Sequence, residues 1–241
     1  MNNKKIIPEG LKKLVLETSS SKTVPLTEQA IMRLRYDILN GSLLPGLQLK
    51  LDKLINHYGF SSSPLREALS RLSVEGLVKI EDRRGFFVSE VSIADIEEIT
   101  KLRLILEPEA LRESITKGDD EWETNIISCG YRLEKYENRI SSQNPFISDS
   151  EWASLHFDFH NSLLGGCTSA RLLKLRTTLF YQAERYWHIW ANANPDPTNR
   201  GSNHKRIQQT VLDRNIDGSL KLIIRHIEST TKIVIQHLLE S

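Results

Sequence analysis

Four of the seven histidines have the type and spacing to do metal chemistry. His156 and His160 stand four apart in HFDFH, so both project from one face of a helix. His204 and His226 fall in two later helical stretches. Neutral imidazoles converging inside a helical bundle are a common way to hold zinc or a related divalent ion. On spacing alone, an i, i+4 histidine pair is equally at home in helix packing or on a surface. Arg103, in LRLILE, offers a forked guanidinium that either clamps a carboxylate or pairs with Glu107 one turn later. A metal-dependent hydrolase is the competing chemistry, and it needs a general base beside the metal-bound water. The helical zinc motif puts Glu directly after its first His, where this chain has Phe157. Asp158 is two residues from His156, about 200° around the axis and so on the opposite face.

A second group of residues suits nucleic acid. Ser61, Ser62 and Ser63 precede Pro64 and Arg66, giving a helix start that is slim, hydroxyl-rich and followed by a cation. A helix entering the major groove by its N-terminus needs such a first turn. Arg83 and Arg84 lie between two short β-prone runs, where they would reach phosphates, and Gly85 would let the backbone come close. Arg35 is a further phosphate candidate, though surface arginines and serine caps also occur in helical domains without that role.

The elements that must position these groups follow from periodicity. Residues 1–25 read as a flexible tail. Thr27 is the expected N-cap of a helix carrying Ile31, Leu34, Arg35, Ile38 and Leu39, which ends at Asn40-Gly41. A short helix spans about Leu51–Tyr58 and stops at Gly59; the next starts at the serines and stops at Gly76. Leu77–Glu81 and Gly85–Val91 read as a two-stranded hairpin. Beyond Ser92 only helical patterns occur, near 92–117, 120–142, 147–165, 168–193, 201–216 and 218–240. The expected fold is therefore mostly α: a winged helix-turn-helix over 26–91, then an all-helical bundle over 92–241.

Bulk composition permits this without demanding it. The net charge is +1 over 241 residues, so no basic surplus announces a nucleic-acid partner. Residues 26–91 carry nine basic and eight acidic side chains. Two isolated cysteines exclude a disulfide framework. No apolar run reaches the roughly 18 residues of a membrane span, and the expected location is the cytoplasm.

Taken as strings, the segments say more. LRYDILNGSLLPGLQL, YGFSSSPLREALSRLSVEGLV and RRGFFV together resemble the winged-helix domain of the GntR family over about residues 26–91. The resemblance implies DNA-contacting positions at Arg66 and Gly85. It also exposes a departure, because the family usually has arginine where this chain has Ser62. A bidentate arginine–guanine contact discriminates by about 1–3 kcal/mol, so a different operator is expected, with Arg66 and the wing carrying more of the readout. ITKLRLILEPEAL, the FH with LLGGCTSARLLKL, and NHKRIQQTVLDRNIDGSLKLIIRHI resemble the FCD effector domain of the FadR-like subgroup.

That second resemblance implies a divalent metal, zinc first with nickel or copper as alternatives, on His156, His160, His204 and His226. The subgroup usually has aspartate at the position of His156. Four neutral ligands leave the ion's charge uncompensated, which predicts a small carboxylate as effector. Arg103, Tyr186 and Trp190 are the candidate effector contacts, against the alternative that the aromatics are core. GDDEWE and RYWHIW are similar to regulators of γ-aminobutyrate and glutarate breakdown, which implies a short dicarboxylate. The expected protein is a transcriptional regulator, a repressor released by its ligand, bound to double-stranded operator DNA as a homodimer. Whether the metal anchors the ligand or only the fold is left open by the residues.

Overall fold

A computed structural model describes residues 24–141, 150–193 and 201–240. Two compact units divide between Ser89 and Glu90.

The first unit is three helices and a hairpin: α1 (Leu26–Leu39), α2 (Leu51–Tyr58), α3 (Ser62–Val74), β1 (Val78–Glu81) and β2 (Gly85–Val88). Helix α1 buries Ala30, Ile31, Leu34, Ile38 and Leu39, the spacing of one apolar stripe. Its N-cap is Pro25 rather than Thr27. The Thr27 hydroxyl donates instead to Glu67 of α3 at 3.1 Å, and a proline before the first turn supplies the extended entry that a capping side chain would otherwise fix. Helix α2 ends at Gly59, whose φ of +75° is left-handed backbone that a side chain resists, and the chain turns there into α3. Ser61 holds the N-cap position of α3 in extended backbone, but its hydroxyl makes no capping bond. Leu65, Ala68, Leu69 and Leu72 anchor α3 to the core.

The hairpin is antiparallel, with Val78 opposite Val88 and Glu81 opposite Gly85. It is shorter than its β-prone run, because Leu77 first closes the end of α3 by donating to the Leu72 carbonyl at 3.0 Å. Residues 47–49 pair along the other side of β2, where Val88 donates to Leu47 and Leu49 donates to Phe86.

The second unit is helical throughout its described residues: α4 (Ile93–Lys117), α5 (Asp120–Ser141), α6 (Ser150–Leu163), α7 (Ala170–Ala193), α8 (Gly201–Leu212) and α9 (Ile216–Glu240). Helix α8 stops four residues earlier than its polar pattern implies, and α9 starts two earlier. Arg214 takes a left-handed φ of 54°, and the Asn215 side chain accepts the Gly218 N–H at 2.9 Å, starting α9 before the glycine. One core cluster joins Leu111, Ile126, Leu133, Trp152, Phe159, Ile207 and Ile223. A smaller one joins Ile96, Ile99, Ala183, Tyr186 and Val234. Residues 1–23 of the expected tail over 1–25, and the breaks at Asn144-Pro145 and Asn194–Pro197, lie outside the described residues.

Candidate functional site

Helices α6, α8 and α9 bring His156, His160, His204 and His226 together, each with a ligand nitrogen within 4.8 Å of the others. The first two come from one face of α6, as their spacing requires. Their Nε2 atoms face each other at 3.1 Å. His156 Nδ1 lies 3.3 Å from Glu184 of α7, and His204 Nδ1 lies 3.5 Å from Glu137 of α5. His204 Nε2 is buried without a hydrogen bond. Burial drives His160 and His226 well below the ordinary imidazole range, with the neighbouring histidines adding to it. Burial also lowers His204, against the opposing pull of Glu137. Neutral imidazoles with inward lone pairs and carboxylates behind their outer nitrogens are the donor set a divalent ion takes. The residues fit a metal.

Beside the histidines lies a buried charge network, in which the Arg103–Glu107 pair is one of the two readings of the sequence and Arg176 was not foreseen. Arg103 donates from Nε to Glu107 at 2.6 Å, and Arg176 of α7 stands 3.6 Å from the same carboxylate. All three side chains are buried. Burial alone would raise Glu107, but the Arg103 and Arg176 guanidiniums overcome it and hold the carboxyl below its usual range. Arg176 is fully inaccessible, and none of its three guanidinium nitrogens makes a hydrogen bond. Its face lies over the Phe180 ring at 4.4 Å. The two guanidiniums share the Glu107 carboxylate, and Glu184 is the next buried acid to act on them.

Glu184 faces His156 from α7, with His188 one turn on. Burial would raise the Glu184 carboxyl, but His156 and then His188 bring it below the usual range. His188 itself is pushed down to about 4, chiefly by burial. The signal for these residues was present: Leu173, Arg176 and Phe180 continue one apolar helix stripe, and a cation on such a stripe needs a buried partner. Glu107 likewise interrupts the stripe of Ile99, Ala110 and Leu111.

Tyr186 is not beside the histidines. Two residues from both Glu184 and His188, it points about 200° away, and its hydroxyl donates to Asp95 at 2.5 Å and to the Ser92 carbonyl at 3.2 Å. Trp190 packs against Trp187, ring centroids 4.6 Å apart. Asp158 is outside the histidine cluster, as its position on α6 dictates.

In the first unit, Ser61, Ser62, Ser63 and Arg66 are all exposed at the start of α3. Arg66 makes no hydrogen bond or ion pair among the described residues. Arg83, Arg84 and Gly85 are exposed at the hairpin tip. Arg84 is braced by Glu81 at 2.6 Å and by the Phe87 ring at 5.1 Å. Arg35 differs from expectation: its guanidinium is bidentate on Glu75, at 2.7 and 3.1 Å, which ties α1 to the end of α3 rather than leaving a free phosphate ligand.

Comparisons with known proteins agree with both halves. Residues 26–88 match the family described as bacterial regulatory proteins, gntR family, and residues 98–229 match the FCD domain. The uncharacterized HTH-type transcriptional regulator BphR of Paraburkholderia xenovorans is 34% identical over 85% of this chain and 83% of its own. The HTH-type transcriptional repressor GlaR of Escherichia coli is 30% identical over 80% of this chain and 89% of its own. The solved structure of E. coli McbR/YncC superposes with a TM-score of 0.76, covering 90% of this chain and 100% of that one at 20% identity, a likeness of fold.

Proposed function

Since the chain belongs to the GntR family of bacterial regulatory proteins and carries an FCD effector domain, we propose that it is a repressor whose grip on operator DNA is released by a small carboxylate. Its family is one of DNA-binding transcription regulators rather than of enzymes, so the histidines belong to sensing and not to hydrolysis. No helix among the described residues is long and apolar enough to cross a membrane.

The operator is read by the exposed first turn of α3, with Arg66 toward base edges and Arg83, Arg84 and Gly85 at the phosphates. Two copies would engage two half-sites. The relative named as a repressor supports the sign of regulation.

In the effector domain, His156, His160, His204 and His226 would hold a divalent ion, zinc being the expected one for four nitrogen donors. When bound, the ion supplies a Lewis acid for a carboxylate oxygen. Four neutral ligands do not leave its charge bare, however, because Glu137 and Glu184 stand behind two of the imidazoles. The preference for an anion therefore rests on this chain's own cations. Arg103 is occupied by Glu107, while Arg176 is buried and reaches that carboxylate only at 3.6 Å, and this is the observation that carries the assignment. One such guanidinium suits one carboxylate; the second end of a short dicarboxylate would need other polar groups.

The test uses the full chain loaded with zinc. Duplexes selected from a random library by the protein are titrated by fluorescence anisotropy, and small mono- and dicarboxylates are screened by thermal shift. A carboxylate should raise the melting temperature and weaken duplex binding, and both responses should vanish in Arg176→Met. A response equally strong in that variant would remove Arg176 from the site, and one that survives chelation would reduce the metal to a structural part.

A further inference from the structure

Helices α5 and α8 leave a narrow groove between them, and it ends at the histidine cluster. Gly130, Glu134 and Glu137 of α5 line one wall, and Lys205 and Gln208 of α8 line the other. Of the four clustered histidines, His204 alone lines it. Gly130 keeps its wall low: a Cβ there would come within 2.3 Å of the Gln208 side chain, which lies across it. The free volume is about 10 Å³, room for one water but not for a hydrated ion.

His204 is 6% exposed, and neither of its ring nitrogens makes a hydrogen bond. Nδ1 is turned toward Glu137 at 3.5 Å, which leaves Nε2 on the far edge of the ring. The Glu137 carboxylate also accepts from the Trp152 indole at 3.3 Å. Nearer to solvent, Glu134 meets Lys205 at 3.0 Å, the two side chains being 47% and 72% exposed. An ion pair this exposed is weak and opens readily. Its ammonium occupies the mouth of a groove whose carboxylates suit a cation.

Charge separates this approach from the rest of the cluster's surroundings. Away from the groove, His226 is only partly buried and feels the Arg103 guanidinium, while His160 feels that of Arg176. Those two cations repel a metal ion and suit the carboxylate of the proposed effector. The groove instead offers carboxylates at increasing depth, with an imidazole at its end.

We propose that the α5/α8 groove is the port by which a divalent cation reaches the four histidines. Glu134 takes the ion from solvent in exchange for Lys205. Glu137 replaces part of its water shell with carboxylate oxygen, and His204 turns its ring to pass it inward. The port presupposes the reading that the four histidines hold a metal, and it names the route and the residues that load it.

The experiment is stopped-flow loading of the metal-free, full-length chain with Co²⁺, whose visible absorption reports nitrogen coordination, followed by release to a chelator. A group that acts only in transit lowers one barrier for both directions, so it changes loading and release by one factor and leaves affinity alone. Glu134→Gln should slow both by about tenfold, and Lys205→Met should quicken both, with affinity within about twofold of the parent in each. Glu137→Gln should slow loading and also weaken affinity, because that carboxylate stands behind His204. Glu121→Gln is exposed on the same helix about 20 Å from Glu134 and should load as the parent does. Parent rates in Glu134→Gln and Lys205→Met, equal slowing in Glu121→Gln, or an affinity change in Glu134→Gln with loading unaltered would each overturn the port. The histidine reading fails separately: the parent then shows no cobalt absorption, or keeps it in His226→Gln, and the port falls with it. Absorption that is lost in His226→Gln, with the groove variants loading at the parent rate, would leave the histidine site standing and remove only the port.

Discussion

Glu107 is the acid that lets two guanidiniums share the interior of the effector domain. It accepts from Arg103 at 2.6 Å and faces Arg176 at 3.6 Å, with all three buried. Glu107→Gln keeps the shape but removes the anion that, among the described residues, contacts both cations. Breaking a buried ion network by removing one partner destabilises by about 3–5 kcal/mol, and urea unfolding followed by far-UV circular dichroism should report a loss in that range. Arg66 invites the opposite test, because it is exposed and supports no other side chain. Arg66→Ala should leave the unfolding curve in place while weakening the selected duplex by about 1–3 kcal/mol, relaxing sequence preference at one base pair. An anisotropy titration at fixed salt that showed no change would remove Arg66 from the readout. The residue scale was partly legible beforehand. The four histidines were, because their type is rare and their chemistry narrow. Arg176, Glu184 and Glu137 were not, because each takes its meaning from a partner on another helix, 28 positions away for Glu184 and His156. Tyr186 lies apart from the histidines for a geometric reason: an aromatic two residues from a site residue sits on the far side of the same helix.

Among the elements, the C-terminal end of α4 depends on a contact with the turn before α7. Glu113 accepts from Thr168 at 2.6 Å, Lys117 at 2.7 Å and the Cys167 thiol at 3.0 Å. These bonds, led by Cys167 and then Lys117 and Thr168, bring its carboxyl down to about 2. A depressed carboxylate stabilises the fold fully above its unfolded value near 4.5, and the contribution disappears as pH falls toward 2. Glu113→Gln should therefore flatten the loss of stability between those limits and lower stability at neutral pH, read as melting temperature against pH. The same turn requires glycine at 166, where a Cβ would lie 2.6 Å from the Ser114 carbonyl and 2.9 Å from its Cα. Those atoms belong to the α4 backbone and cannot swing aside. Gly166→Ala should destabilise by roughly 1–3 kcal/mol, while Gly165→Ala, whose nearest contact is 3.1 Å to a Trp122 side chain, should cost less. Helices were the legible part of the fold, since apolar stripes such as Ile31, Leu34 and Ile38 report their own burial. Ends were less so. Pro25 displaced the cap expected at Thr27, and Asn215 started α9 ahead of Gly218, because caps depend on backbone geometry that several polar residues in a row can each satisfy.

At the scale of the whole molecule, the proposed regulation requires that occupancy of the histidine site change the free energy of binding DNA, and linkage makes the effect equal in both directions. Helix α7 has the form to carry it. Glu184 and His188 look toward the histidines, while Arg185 and Tyr186, between them in sequence, look toward the start of α4. Arg185 donates to the Glu90 carbonyl at 3.1 Å and Tyr186 donates to the Ser92 carbonyl at 3.2 Å, and these two residues belong to the short stretch that follows β2. Burial, and then the Asp95 carboxylate, push the Tyr186 phenol up to about 12, so it remains a donor at any working pH. A shift or rotation of α7 on ligand binding would thus pull on the chain directly after the wing. Arg185→Met keeps the buried stem and deletes the donors. It should leave the carboxylate affinity of the DNA-free protein, and the duplex affinity of the ligand-free protein, within about twofold. The ratio of duplex affinities with and without ligand, expected at about 5–150-fold in the parent, should fall toward one. The ratio of ligand affinities with and without DNA must fall by the same factor. Both ratios come from anisotropy and calorimetric titrations on one preparation, and a coupling that survives the substitution intact would mean that α7 is not the element that transmits it.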